Sequence, residues 1–146
     1  MKRKGLFKGF TLIELMIAVG IVALLVTLAL PSYTRYIRKA NRSEAEQLML
    51  QYANLQEIWR TNDSNYATAA EIPPPTHARY DFFVRATAGS PPAAGDCGSA
   101  APTATTYTVV ACAKGSTDQI NDDQAGTSCQ RLSLNQSNIK TPVECW

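Results

Sequence analysis

From Phe10 to Leu30 the chain is apolar except for Thr11, Thr27 and one carboxylate, Glu14. No other feature limits so strongly what this chain can fold into. As a helix the run rises 1.5 Å per residue, roughly 31 Å in all, enough to cross the hydrocarbon core of a bilayer. Its Leu, Ile, Val and Ala suit a helix in lipid, where every backbone polar group must be satisfied within the segment. A charged side chain near the start of such a helix costs a few kcal/mol unless it finds a partner. Glu14 is therefore a candidate functional residue. A secretory signal would be cut beside small residues after the apolar run, and Thr27 and Ala29 make a poor site of that kind. A plain signal anchor accounts for the apolar run but not for the carboxylate.

Ahead of this segment residues 1–9 form a basic, glycine-ended leader that carries Lys2, Arg3, Lys4 and Lys8. The formal net charge of +2 conceals this arrangement. Beyond the leader ten basic side chains face twelve acidic ones, so bulk charge makes no case for nucleic-acid binding. Pro31 follows the apolar run, removes one intrahelical donor and is expected to kink a continuing helix rather than end it. Continuation is expected because Ala45, Leu48, Tyr52, Leu55 and Trp59 recur at steps of three and four, which makes one apolar stripe. Arg42 and Glu46 stand four apart on another face and form an exposed pair of little energetic weight. Thr61-Asn62-Asp63-Ser64-Asn65 supplies the stop. The expectation is one helix of about fifty residues, half in lipid and half amphipathic.

Pro73-Pro74-Pro75 marks a loop, after which the period changes to two. Tyr80, Phe82, Val84 and Ala86 alternate with Asp81, Phe83 and Arg85 as a strand would. A second strand is expected near Thr105–Cys112, after a loop of small residues from Ala88 to Ala104. A third places Leu132 and Leu134 between Arg131, Ser133 and Asn135. Three short strands bury little alone. The predicted fold class is therefore α+β, an antiparallel sheet packed on the amphipathic half of the long N-terminal helix. The expected segments are a leader at 1–9, an apolar helical segment at 10–31, an amphipathic helix at 32–62, and a region at 63–146 that holds the loop, the sheet and the cysteines.

Cys97, Cys112, Cys129 and Cys145 are widely spaced, none in a C-x-x-C pair, and His77 is the single histidine. A zinc site does not fit that pattern. An even set of cysteines behind an apolar N-terminal segment reads as two disulfides formed in an oxidising compartment, so the C-terminal part lies outside the cytoplasm. The residues leave all three connectivities open.

Gly9-Phe10-Thr11-Leu12-Ile13-Glu14-Leu15 resembles the signature of type IV pilins and the related pseudopilins. That resemblance implies that a prepilin peptidase cuts after Gly9 on the cytoplasmic side and that the new terminus at Phe10 is methylated. It implies that Glu14 partners the N-terminus of a neighbouring subunit and so sets axial register. Pro31 falls where the family has a proline, and the implied fold is a long helix against an antiparallel sheet. Cleavage creates an α-amino group, and both charges are costly in an apolar filament core unless they are paired. The segment from Gly126 to Gln136 and the terminal Cys145-Trp146 resemble PilE-like minor pilins. In those proteins a cysteine before a strand pairs with one at the C-terminus, which here implies Cys129 with Cys145 and leaves Cys97 with Cys112.

The implied function is structural, as a minor subunit of a type IV pilus and not as an enzyme. The implied partners are other pilin subunits, the prepilin peptidase, an inner-membrane assembly platform and, before assembly, inner-membrane lipid. The chain would be a single-pass inner-membrane protein with a periplasmic C-terminal domain, and would lie in the surface pilus after assembly. A type II secretion pseudopilin is the runner-up, and the disulfide-rich C-terminus speaks against it. A pilus-displayed DNA-uptake receptor is the third reading. For that reading Arg35, Arg38, Lys39 and Arg42 would form a basic strip, but its aromatic residues do not interleave in a way suited to stacking on bases. A solvated face that pairs with acidic groups of neighbouring subunits is the preferred reading of those four. Four basic residues on each side of the apolar run leave orientation undecided by charge. Asp118, Asn121, Asp122 and Asp123 fit no EF-hand order and read as a polar turn. His77 reads as solvated, no nucleophile–base pattern is visible, and no cofactor or metal is expected.

Overall fold

The computed structural model describes residues 9–86, 97, 102–103 and 105–146. Leader residues 1–8 and most of the small-residue loop after the first strand fall outside these. The chain divides into two compact units, 1–36 and 37–146.

A single helix, α1, runs from Leu12 to Arg60 over 49 residues. Thr11 caps it by accepting the Glu14 N–H on Oγ1 at 3.3 Å. Pro31 lies inside the helix without ending it. Within the first unit the hydroxyls of Thr27 and Thr34 donate to the carbonyls of Leu24 and Pro31, so neither is left to be solvated. The described large apolar side chains from Phe10 to Leu30 are 46–81% exposed. The helix is long and apolar enough to cross a membrane.

In the second unit α1 buries Arg42, Ala45, Met49, Tyr52 and Gln56. This stripe keeps the expected spacing but lies to one side of the expected one. Leu55 is 47% exposed, and Met49 and Gln56 take the central positions. Polar residues at 42 and 56 hid the true register, because each is buried for a hydrogen-bonding reason that hydropathy cannot signal. Gln56 donates from Nε2 to the Ala67 carbonyl at 3.0 Å and accepts the Ala67 N–H on Oε1 at 2.9 Å. One amide thus clasps the chain that leaves the helix. Tyr52 Oη adds a bond to the Ile72 carbonyl at 2.7 Å.

Four antiparallel strands form the main sheet: β1 (Tyr80–Arg85), β2 (Thr108–Ala113), β5 (Arg131–Asn135) and β6 (Lys140–Thr141), in the order β1-β2-β5-β6. Between β2 and β5 lie a 3-10 turn at Asp118–Asn121 and a small hairpin, β3 (Asp123–Gln124) with β4 (Thr127–Ser128). Ala125 and Gly126 close the hairpin, both with positive φ (52° and 81°), as a two-residue turn between twisted strands requires. The alternation expected for β1 holds, with Tyr80, Phe82 and Val84 buried. They pack with Met49, Tyr52, Val109, Ala111, Leu132 and Leu134 in one core. β2 begins three residues later than expected and is buried on both faces over Thr108–Cys112, so its sequence lacks the polar alternation that marks a boundary. β6 and the β3–β4 hairpin were not expected, since two-residue strands carry no periodic signal. The fold is α+β, a long N-terminal helix packed through its second half on a C-terminal antiparallel sheet.

Candidate functional site

Two places in the chain hold the residues singled out by sequence. The first is the start of α1. Gly9, Phe10 and Glu14 are all exposed, with Phe10 at 81%. No described side chain pairs with the Glu14 carboxylate, so whatever neutralises it in an apolar setting comes from outside the described residues.

The second place is where α1 meets the segment after β2. Arg38 and Arg42 stand one helical turn apart, and Asp118 and Asp122 have the same spacing across the 3-10 turn, so the two pairs match. Arg38 grips Asp118 with two parallel bonds, Nε to Oδ2 at 2.7 Å and Nη2 to Oδ1 at 2.9 Å. Its third donor reaches the Asn121 carbonyl at 2.8 Å. Such fork-to-fork geometry is the strong form of an arginine–carboxylate contact. Arg42 donates to Asp122 Oδ2 at 3.0 Å, with both side chains almost fully buried at 3% and 4% exposure. Its other donors face Gln124 Oε1 and, at 3.7 Å, Glu46. Gln119 Nε2 lies within 3.1 Å of the Arg38 carbonyl, Tyr80 Oη and Asp122 Oδ2, and shares its two N–H donors among them.

The electrostatics differ between the two carboxylates. Hydrogen bonds from Arg38 and then Asn121 hold the exposed Asp118 below the ordinary carboxylate range. Burial pushes Asp122 upward, and the Arg42 charge pulls it back. Glu46 is likewise raised by burial against the pull of Arg42.

These contacts revise three sequence expectations. Arg42 and Glu46 are not an exposed helix pair, since Arg42 is spent on a buried partner eighty residues away. Half of the basic strip is neutralised within the chain, at Arg38 and Arg42, while Lys39 stays exposed. His77 is not solvated. Its side chain is 5% exposed, with Nε2 3.3 Å from Glu44 and Nδ1 accepting the Arg79 N–H at 3.1 Å. That acceptor role places the ring proton on Nε2, facing the carboxylate. Asp118 and Asp122 act as anchors for the arginines, and among the described residues no cluster of metal-ligating side chains occurs.

Disulfides join Cys97 to Cys112 and Cys129 to Cys145, with Cα separations of 6.1 and 5.6 Å. The first ties residue 97 to β2. The second ties the residue before β5 to the C-terminal turn, closing the region that carries β5 and β6.

The family comparison reaches further than either place alone. The prokaryotic N-terminal methylation motif matches residues 6–30. Among known proteins, the chain is 36% identical over 77 residues to prepilin peptidase-dependent protein D of Escherichia coli, covering 50% of this chain and 53% of that one. It is 43% identical over 70 residues to the type IV major fimbrial protein FimA of Dichelobacter nodosus, covering 44% of this chain and 43% of that one. The chain thus spans about half the length of the relatives it matches. A solved type IV pilin from Shewanella oneidensis superposes with a TM-score of 0.48 at 19% identity, over 75% of this chain and 97% of that one. The model described as type IV minor pilin ComP, DNA uptake sequence receptor, and not one of PilE-like minor pilins, matches residues 31–133. That is well over half of the chain, which therefore belongs to this family of type IV pilins.

Proposed function

We propose that the chain is a minor subunit of a type IV pilus that displays a DNA-binding domain during uptake of external DNA. The observation that carries this reading is the family match over residues 31–133, which lies wholly outside the N-terminal methylation motif at residues 6–30. In this reading a prepilin peptidase removes residues 1–9 after Gly9 and methylates Phe10. The product is held in the inner membrane by residues 10–31 with its C-terminal domain in the periplasm, then handed by an assembly platform to the filament. Glu14 there meets the amine of a neighbouring subunit, and one such buried polar pair among otherwise slippery helices specifies register.

The DNA-binding part reverses the order in which sequence alone ranked the readings. The buried Arg42 and the carboxylate-bound Arg38 are poor phosphate ligands, so the helical strip is not the contact. The task falls on exposed cations that form no close ion pair among the described residues, such as Lys39 and Arg79. Binding by a few such residues is electrostatic and falls with salt. The test is a gel shift of the mature full chain in detergent with duplex DNA over a salt series. Retarded complexes that weaken steeply with salt support the receptor. Free duplex at every protein concentration in low salt would leave a subunit with a purely structural role. That second reading has one observation in its favour, the excess of acidic over basic side chains beyond the leader.

A further inference from the structure

β1 is an edge strand, and among the described residues nothing pairs with its outer side. The Lys114 N–H donates to the Arg79 carbonyl at 2.9 Å, and Arg79–Lys114 continues the register Tyr80↔Ala113, Asp81↔Cys112. In an antiparallel ladder such pairs alternate, so Asp81, Phe83 and Arg85 turn their backbone groups toward β2. Tyr80, Phe82 and Val84 turn theirs to the open edge. No described residue takes a hydrogen bond from those groups or gives one to them. The neighbouring loop contributes Pro73, Pro74 and Pro75, which have no N–H to offer. Pro74, Pro75 and His77 of that loop line a cavity of about 460 Å³ together with Tyr80–Phe83 and Lys114. Natural proteins blunt a free edge of this length with a bulge, a lysine or a covering segment. β1 runs without a bulge, and no described segment covers its open edge with hydrogen bonds; Lys114 stands beside Asp81 instead.

We propose that this edge docks a second copy of the chain, β1 against β1 in antiparallel fashion about a two-fold axis through Phe83. The charge pattern of the strand selects that occupant and that register. Centred on Phe83, the pairing sets Phe82 opposite the partner's Val84, and these two have the outward-facing backbone groups that the ladder bonds need. Phe83 then meets the partner's Phe83, and Asp81 meets the partner's Arg85, with the reciprocal pair on the other side of the axis. These three are non-hydrogen-bonded positions, where Cα atoms come within about 4.5 Å and cross-strand side chains touch most closely. Both charges are thus matched by the same strand in reverse. Arg85 already has a partner within its own chain, and a guanidinium with five N–H donors can serve both. Asp81, 55% exposed and 3.5 Å from Lys114, likewise keeps a free carboxylate oxygen. A DNA backbone is the poorer occupant, because Asp81 would repel its phosphates.

The proposal is independent of DNA binding. Its test is oxidative crosslinking of the mature full chain in detergent, which holds no free cysteine among its described residues. Phe83→Cys is expected to yield a dimer whose bridge joins the two substituted positions, and Ser137→Cys, on the exposed β5–β6 turn, is not. Adding Asp81→Lys to Phe83→Cys replaces two attractions by two repulsions and is expected to lower the crosslinked fraction roughly tenfold. Circular dichroism checks that the fold is retained. Equal crosslinking by the two cysteine variants, no crosslinking by Phe83→Cys, or indifference to Asp81→Lys would each overturn the proposal. Crosslinks found only in cells, and only to other pilus subunits, would overturn it in favour of a different pilin as occupant.

Discussion

Arg42 keeps its charge in the domain interior because Asp122 is buried with it and Gln119, Gln124 and Tyr80 complete the network. A buried pair of this kind adds little over an apolar pair of equal volume, but breaking it strands one charge. Arg42→Ala is therefore expected to cost about 3–5 kcal/mol, read by chemical unfolding. Arg42→Met combined with Asp122→Leu is expected to recover most of that loss. Neither change should alter the salt dependence of DNA binding, because Arg42 does not face phosphate. At the same junction Asp118 and Glu46 respond oppositely to pH. The lowered Asp118 stabilises the fold above its unfolded-state pKa, and that contribution is lost as pH falls through the folded value. The raised Glu46 contributes fully below its unfolded-state pKa and loses that contribution as pH rises through the folded value. Asp118→Asn should thus flatten the acid limb of the stability–pH curve, and Glu46→Gln should raise the neutral end relative to the acid end. The two arginines and four polar acidic-loop residues were all visible in the sequence. Their pairing was not, since it joins positions eighty residues apart, although the shared four-residue spacing of Arg38/Arg42 and Asp118/Asp122 was available as a clue.

At the scale of elements, what a period or a single strong residue dictates was legible. The apolar run, Pro31 inside a continuing helix and the stop near Thr61 follow from local chemistry, and α1 covers 49 of the residues expected to be helical. β1 was legible because one of its faces meets the core and the other does not. β2 was legible only in outline, because burial on both faces erases alternation. The helix stripe was read off its apolar residues and missed Gln56, whose burial depends on a backbone amide eleven residues ahead. Gln56→Leu keeps the volume but leaves the N–H and carbonyl of Ala67 unpaired in a buried place. A loss of about 2–4 kcal/mol is expected on unfolding. The bridge from Cys129 to Cys145 closes a loop at a sequence separation of 16, for which chain entropy gives roughly 3 kcal/mol. Replacing both cysteines by serine should lower stability by about that amount. A much smaller change in the unfolding midpoint at constant slope would show that packing of β5 and β6 already holds the C-terminal turn.

For the whole molecule, the domain at 37–146 has its own core and is ordinary for a small α+β protein. The helix ahead of it is not, because its described apolar side chains are exposed among the described residues. In the proposed function lipid and then neighbouring subunits supply their cover, and the Glu14 carboxylate needs a specific neighbour there. Glu14→Ala is expected to leave the domain folded and the chain in the membrane while its amount in sheared filaments falls severalfold by immunoblot. Wild-type incorporation would remove the register role. That role presupposes a new amine at Phe10, which makes Glu14 the fifth residue of the processed chain. Intact-mass spectrometry of the native chain tests this most directly. The expected product lacks residues 1–9 and carries a methylated N-terminus at Phe10. An intact Met1, or a terminus beyond Leu30, would contradict it.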